Sequence, residues 1–218
     1  SSSLVALGVA NCYAESAGTP EWSVSGVHMV LTPPLWAGDT GGMHSIGGKS
    51  RVFDSGADGF ARSEACVSAT LLPTASTIML EGSTIRQDGK SASLTAPNGN
   101  AQRIMLRATL MGIGAANCSD VSAIEAAANG SPLGDPIEAA ALASCVSSSL
   151  HVGNSKGSIA HGEPPSGHSS LAMLAAKLFR IQESANAQLR RLNPMMQTLN
   201  DSLLIGCQHS RLPTTKLM

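Results

Sequence analysis

The stretch Glu125–Glu138, EAAANGSPLGDPIE, decides the fold, because a strand end, a glycine-bearing loop and a helix start follow one another within it. Val121 to Ala127 is short and apolar, as a strand is. Asn129-Gly130 and Pro132 interrupt it, and Gly134 adds one more turn. Asp135 stands where an N-cap is expected, Pro136 at N1 and Glu138 at N3, so the spacing predicts a helix through the alanine-rich Ile137–Val146. Backbone N–H groups left without intrahelical partners at such a start can hold an anion or an oxyanion.

Outward from this stretch, helical and strand-like segments alternate. Ser1–Ala17 has helical apolar spacing through Leu4, Val5, Leu7, Cys12 and Tyr13, and Gly18-Thr19-Pro20 stops it. Glu21–Leu31 alternates around Val24, Val27 and Met29 and reads as a strand. Thr32–Arg51, with Pro33-Pro34 and two Gly-Gly pairs, is a long loop of the kind usually kept for function. Cys66–Leu72 and Thr77–Ile85 read as strands hinged near Pro73. Asn98–Ile113 reads as a helix with Ile104, Leu106, Leu110 and Met111 on its apolar side. Leu150–Val152 is a further strand and Ser166–Ala185 the last clear helix. This alternation is the signature of an α/β protein.

Composition narrows the function. The chain has 218 residues, a formal net charge of -1, 43% hydrophobic and only 13% charged residues. That length buries a core without staples. The absence of a basic balance argues against nucleic-acid binding, and no apolar run reaches the ~18 residues of a membrane span. No basic leader precedes an apolar segment, so cytoplasmic residence is expected, with organelle targeting left open. The chain starts at Ser1 without methionine and reads as a fragment or a processed piece. Five cysteines without any CxxC spacing make neither a disulfide framework nor a zinc site, and no metal is expected. Asp54, Asp58, Arg62 and Glu64 lack the order of a calcium loop and read as a salt-bridged turn.

SPLGDPIE (Ser131–Glu138) resembles the TPLGDPIE of β-ketoacyl synthases, especially the ketosynthase domains of modular polyketide synthases, which write the loop HGTGTPLGDPIE. Further stretches are similar in the same order: SSSLVAL at Ser1–Leu7, FDSGADGFARSEA at Phe53–Ala65, QDGKSASLTAPNG at Gln87–Gly99, KGSIAH at Lys156–His161 and LRRLNP at Leu189–Pro194. The resemblance implies a thiolase-like αβαβα layered sandwich, present in part, without the front portion and the closing glycine-rich segment. It divides the chain into the end of the N-terminal half of the domain (1–80) and the C-terminal half (81–218). The implied reaction is acyl transfer from an acyl carrier protein followed by decarboxylative condensation with a malonyl thioester. The implied partners are that carrier protein, with its phosphopantetheine arm, and a second copy of the chain in a homodimer. No bound cofactor is implied.

The resemblance also assigns the site. His161 matches the family histidine that hydrogen-bonds the extender thioester, and Lys156 matches a lysine that fixes charges there. Asn129 and Ser131 stand for two threonines along the phosphopantetheine path, and Glu163 matches an acid after the histidine. The family nucleophile, a cysteine, would stand before Ser1. Ala127 occupies the place of the other catalytic histidine, and a methyl group neither donates a hydrogen bond nor moves a proton. An impaired synthase is one reading of that change, and a non-catalytic subunit or docking fragment is the other. His161, Lys156 and the Ala127–Ser131 loop should meet near the start of the Ser1 helix. On the residues alone, His161 and Lys156 also fit partly exposed loop positions, Glu163 a helix-start charge, and Asn129 and Ser131 simple turn chemistry.

One rival motif is Gly153-Asn154-Ser155-Lys156-Gly157, a G-x-S-x-G run followed by Asp201 and His209. A nucleophile elbow needs a sustained helix after the serine, and Gly157, Gly162 and Pro164-Pro165 oppose one.

Overall fold

A computed structural model describes residues 2–17, 21–31, 43–73, 77–89, 96–114, 121–145, 150–180, 185–199 and 202–206. The elements in chain order are α1 (Ser2–Ala17), β1 (Trp22–His28), β2 (Ala65–Leu71), α2 (Gly99–Gly112) and β3 (Ala123–Glu125). After these come α3 (Gly134–Ala143), β4 (Leu150–Gly153), the one-turn α4 (Lys156–Ile159), α5 (Ser166–Arg180), a 3-10 helix (Pro194–Leu199) and β5 (Leu203–Leu204).

Two sheets form. β1 and β2 pair antiparallel from Trp22↔Leu71 to His28↔Ala65. β3, β4 and β5 pair in parallel, with β4 central, Ile124 opposite Val152 and Leu150 opposite Leu203. α1 packs on β1 and on α5, and α5 touches both β2 and β3, so it lies between the sheets. α3 packs against the 3-10 helix and α2. The core gathers around the parallel sheet: Ala126, Ala139, Leu142, Leu150, Val152, Met196 and Leu203 are buried with Val52 and Phe53 from the 43–65 loop. Burial of these apolar side chains is the main force holding the loop to the sheet. The Lys177–Glu125 ion pair, 2.7 Å long with both side chains almost fully buried, fastens α5 to β3. Burying two charges costs desolvation, which a short, enclosed pair recovers only through good geometry.

Three expectations are corrected. α3 begins at Gly134, and Leu133 is its N-cap without any side-chain bond, so Asp135 is inside the first turn and not the cap. The reason is that its carboxylate turns back to accept four backbone N–H groups, three from the loop before the helix and one from Phe53. Thr77–Ile85 forms no strand among the described residues. Its apolar side chains Met79 and Ile85 are exposed, and β-propensity without a pairing strand and a covered face does not make a strand. β1 also stops at His28, three residues short of Leu31, where the Val30 N–H bonds the Glu64 carboxylate instead of a neighbouring strand. Helix α2 meets its expected bounds, with Asn98 as the N-cap accepting from the Ala101 N–H, but Ile104 and Met111 of its expected apolar side are exposed and the helix fully buries none of its residues. The last residues of the expected 166–185 and 137–146 helices, and Ser1, lie outside the described residues.

Candidate active site

Asp135 shapes the loop that follows β3. It is 1% exposed. Its Oδ1 accepts from Asn129 N and Ser131 N at 3.1 Å, and its Oδ2 from Gly130 N at 3.1 Å and Phe53 N at 3.0 Å. Burial raises its pKa against the pull of these four bonds. Gly130 is required in the loop: its φ is +82°, and a Cβ there would stand 2.7 Å from the Gly59 carbonyl oxygen. The Ser131 hydroxyl accepts from Gly134 N at 3.0 Å and caps the helix that Asp135 was expected to cap.

Ala127 is held from both sides. Its N–H donates to Glu138 Oε1 at 2.7 Å, and its carbonyl accepts from Lys156 Nζ. The flanking carbonyls of Ala126 and Ala128 both accept from the Asn154 amide at 2.8 Å, and Asn154 Oδ1 accepts from Lys156 N. The residue itself is exposed, so a rigid backbone presents only a methyl group. Lys156 is 6% exposed. Burial lowers its pKa, and the charges of Glu138, Asp135 and Glu125 oppose the change. Burial raises the pKa of Glu138, with the Ala127 N–H and Lys156 opposing.

His161 follows the abrupt end of α4 at Ala160, which sits at φ 60°. Its N–H donates to Ala61 O at 2.8 Å and its carbonyl accepts from Ser63 N at 3.1 Å. The ring stands edge-on to Phe60 with centroids 4.7 Å apart, and Phe60 meets His44 at the same distance. Nδ1 accepts the Glu163 N–H at 3.0 Å. A neutral imidazole that accepts at Nδ1 carries its proton on Nε2. Burial, and next the Lys156 charge, lower the His161 pKa to about 4. At neutral pH the ring is therefore an uncharged hydrogen-bond donor through Nε2.

This shift has a measurable consequence. Between pH 6.5 and about 4 the unfolded chain takes up a proton that folded His161 refuses. Stability therefore falls as the pH drops through that window, and the penalty is absent above it. Urea midpoints measured from pH 7 to 4 should fall more steeply for the unmodified protein than for His161→Gln. Equal slopes would contradict the assignment.

Glu163 spends its carboxylate on cations. Oε1 lies 2.6 Å from Arg62 Nε and Oε2 3.6 Å from His28 Nε2. The expected salt-bridged turn forms only in part: Asp58 pairs with Arg51 at 3.6 Å, whereas Asp54 accepts from the Arg190 and Arg191 backbone N–H groups, Glu64 from Val30 N, and Arg62 pairs with Glu163. Among the described residues no three His, Cys, Asp or Glu side chains gather as a metal site. No described helix is long and apolar enough to cross a membrane.

The structure brings the expected residues together. Lys156 bonds Ala127 and its charge reaches His161. Gly59 N donates to Gly130 O at 2.9 Å, and the next residue, Phe60, carries the ring against His161. The start of α1 lies on the same turn, since Ser3 N donates to Pro164 O at 3.3 Å and Ser3 Oγ accepts from His168 N. Beside Lys156 is a cavity of about 40 Å³, lined partly by Ser155, Ser166 and Ser169, which is the size for water and far below the ~300 Å³ at which ligand pockets begin. The sequence reading gave no role to His28, which stands in an ordinary alternating run, or to Phe60 and Asn154, which it met only as positions within longer motifs.

Ser155 is no nucleophile elbow. Only one helical turn follows it before Ala160 ends the run, as the glycines and prolines led one to expect, and its backbone is ordinary αR and it is 2% exposed. Its hydroxyl meets the Ser170 hydroxyl at 3.1 Å. Asp201 and His209 lie outside the described residues.

The profile of the β-ketoacyl synthase C-terminal domain matches residues 78–185. The highly reducing polyketide synthase VdtX of Byssochlamys spectabilis is 32% identical over 188 residues, covering 81% of this chain and 9% of that protein. The lovastatin nonaketide synthase mokA of Monascus pilosus is 31% identical over 245 residues, covering 99% of this chain and 8% of that protein. The ketosynthase from module 6 of the bacillaene synthase from Bacillus subtilis 168 superposes with a TM-score of 0.91 at 23% identity, over 98% of this chain and 40% of that one. This chain thus spans less than a tenth of these curated relatives and 40% of the solved ketosynthase.

Proposed function

The chain belongs to the β-ketoacyl synthases, as part of a ketosynthase domain with the thiolase-like fold, and from this we propose that the complete protein takes an acyl group from an acyl carrier protein and condenses it with a malonyl thioester. The observation that carries the reading is neutral His161, its Nδ1 engaged by the Glu163 N–H and its Nε2–H left to donate. In the proposed step the bond between the malonyl α-carbon and its carboxylate breaks and carbon dioxide leaves. The electron pair passes into an enolate whose oxygen accepts the hydrogen bond from His161. The enolate carbon then attacks the acyl thioester carbonyl, forming the new carbon–carbon bond and expelling the thiolate. Donors placed where charge develops in the transition state are worth more than donors to the ground state.

Lys156 takes the role of a fixed positive charge behind the loop, and Asn129 and Ser131 line the approach of the phosphopantetheine arm. The thiolate belongs at the start of α1, where the helix dipole favours it. The protein works as a homodimer and binds no cofactor of its own. Ala127 leaves the enolate one imidazole short, so condensation is slow while acyl loading persists. The same residue favours a second reading, in which the domain no longer condenses and serves as a docking subunit.

Mass spectrometry of carrier-bound species tests the proposal. With malonyl-loaded carrier protein, His161→Ala should slow loss of carbon dioxide about 100-fold, the typical cost of one oxyanion donor. Acyl loading should stay within twofold, as expected if the loading step needs only the thiolate. An unchanged decarboxylation rate would remove His161 from the reaction and favour the docking role.

A further inference from the structure

The turn that carries His161 is bracketed by two non-glycine residues in left-handed backbone, Ala160 at φ 60° and Glu163 at φ 49°. Each such residue costs on the order of 1–3 kcal/mol and persists only where its surroundings over-determine it. His28, at the end of β1, supplies one of those constraints. Its side chain is 17% exposed. Its Nδ1 is 2.8 Å from the Ser63 carbonyl oxygen, and its Nε2 faces Glu163 Oε2 at 3.6 Å. A carbonyl only accepts, so Nδ1 bears a proton. Ser63 and Glu163 are the segments that grip His161: Ser63 N donates to its carbonyl and Glu163 N to its Nδ1.

We propose that His28 is a positioning residue for His161: clamped between the Ser63 carbonyl and the Glu163 carboxylate, its ring holds the Glu163 N–H on Nδ1 and so keeps the His161 proton on Nε2. This rests on the reading of His161 as the donor to the reacting thioester. Arg62 holds the same carboxylate from the other side, so the clamp has two arms. Glu64, in the same segment, faces away to the Val30 N–H and does not compete.

The test uses the complete protein labelled with 15N in histidine, and reads ring tautomers from two-bond proton–nitrogen correlations. In the unmodified protein His161 should show one tautomer, protonated at Nε2, and His28 a proton on Nδ1. In His28→Leu, His161 should populate both tautomers and its titration midpoint should rise. The turnover number for decarboxylation should drop about tenfold, with KM for the malonyl carrier little changed, as for other residues that orient a histidine. His28→Gln, which keeps one donor, should recover part of the single tautomer; recovery by Gln distinguishes a positioning bond from simple packing. A His161 tautomer unchanged in His28→Leu overturns the proposal. So does a His28 ring lacking the Nδ1 proton in the unmodified protein, a result that needs no variant to fold. The tautomer is read without turnover. An unchanged clamp beside an inactive protein would therefore count against the reading of His161 and leave the clamp standing.

Discussion

Asp135→Ala should cost the protein about 4 kcal/mol of stability, the low end for leaving several buried donors without partners. The carboxylate is 1% exposed and receives four backbone N–H groups, from Phe53, Asn129, Gly130 and Ser131. Among the described residues no other joins the 43–65 loop, the loop after β3 and α3 in this way. Phe53 is fully buried and sits at φ 61°, a backbone that a side chain of its size adopts only under constraint. Alanine removes both acceptor oxygens and leaves a polar cavity. Water entering that cavity recovers some of the bonds, which is why the low end applies. Asp135→Asn keeps one acceptor oxygen but points an amide N–H₂ at two donors, so an intermediate loss is expected. Urea denaturation followed by circular dichroism measures both. A loss below about 1 kcal/mol for alanine, the size of a single ordinary hydrogen bond, would mean that the loop holds its shape without this residue.

The sequence made the helices legible because their signals are local. Asn98 caps α2, and the apolar spacing within 1–17 and 166–185 found α1 and α5. It misplaced what depends on partners distant in the chain. Asp135 has every mark of an N-cap, yet the donors it serves include Phe53, 82 residues away. Thr77–Ile85 is apolar enough for a strand, but pairing is a tertiary event and none of the described residues supplies it. The buried Lys177–Glu125 pair, whose residues lie 52 positions apart, left no trace in local pattern. The site divides in the same way. His161, Lys156, Ala127, Asn129 and Ser131 were named through resemblance, since loop residues carry no periodicity of their own. His28 ends an unremarkable alternating run, and only the antiparallel register of β1 with β2 delivers it to Glu163. Glu163 was named by resemblance as an acid after the histidine, and its carboxylate meets Arg62 and His28.

Ala127→His should raise the condensation rate of the complete protein about 100- to 1000-fold, the reciprocal of the usual loss for one missing oxyanion donor. The framework for a second imidazole is in place. Glu138 and Lys156 fix the N–H and carbonyl of residue 127, and Asn154 fixes the carbonyls on either side. The exposed position gives a larger side chain room without disturbing the core. A donor added to a rigid backbone costs little reorganisation when the enolate forms, which is the condition under which such donors act most strongly. Acyl loading involves no enolate and should be indifferent to the change. The direct test of the account is condensation of acyl- and malonyl-loaded carrier proteins by the unmodified complete protein and by Ala127→His, measured side by side. The account predicts slow condensation by the first, a gain of two to three orders of magnitude in the second, and equal acyl loading in both. Condensation by the unmodified protein as fast as by Ala127→His would contradict it.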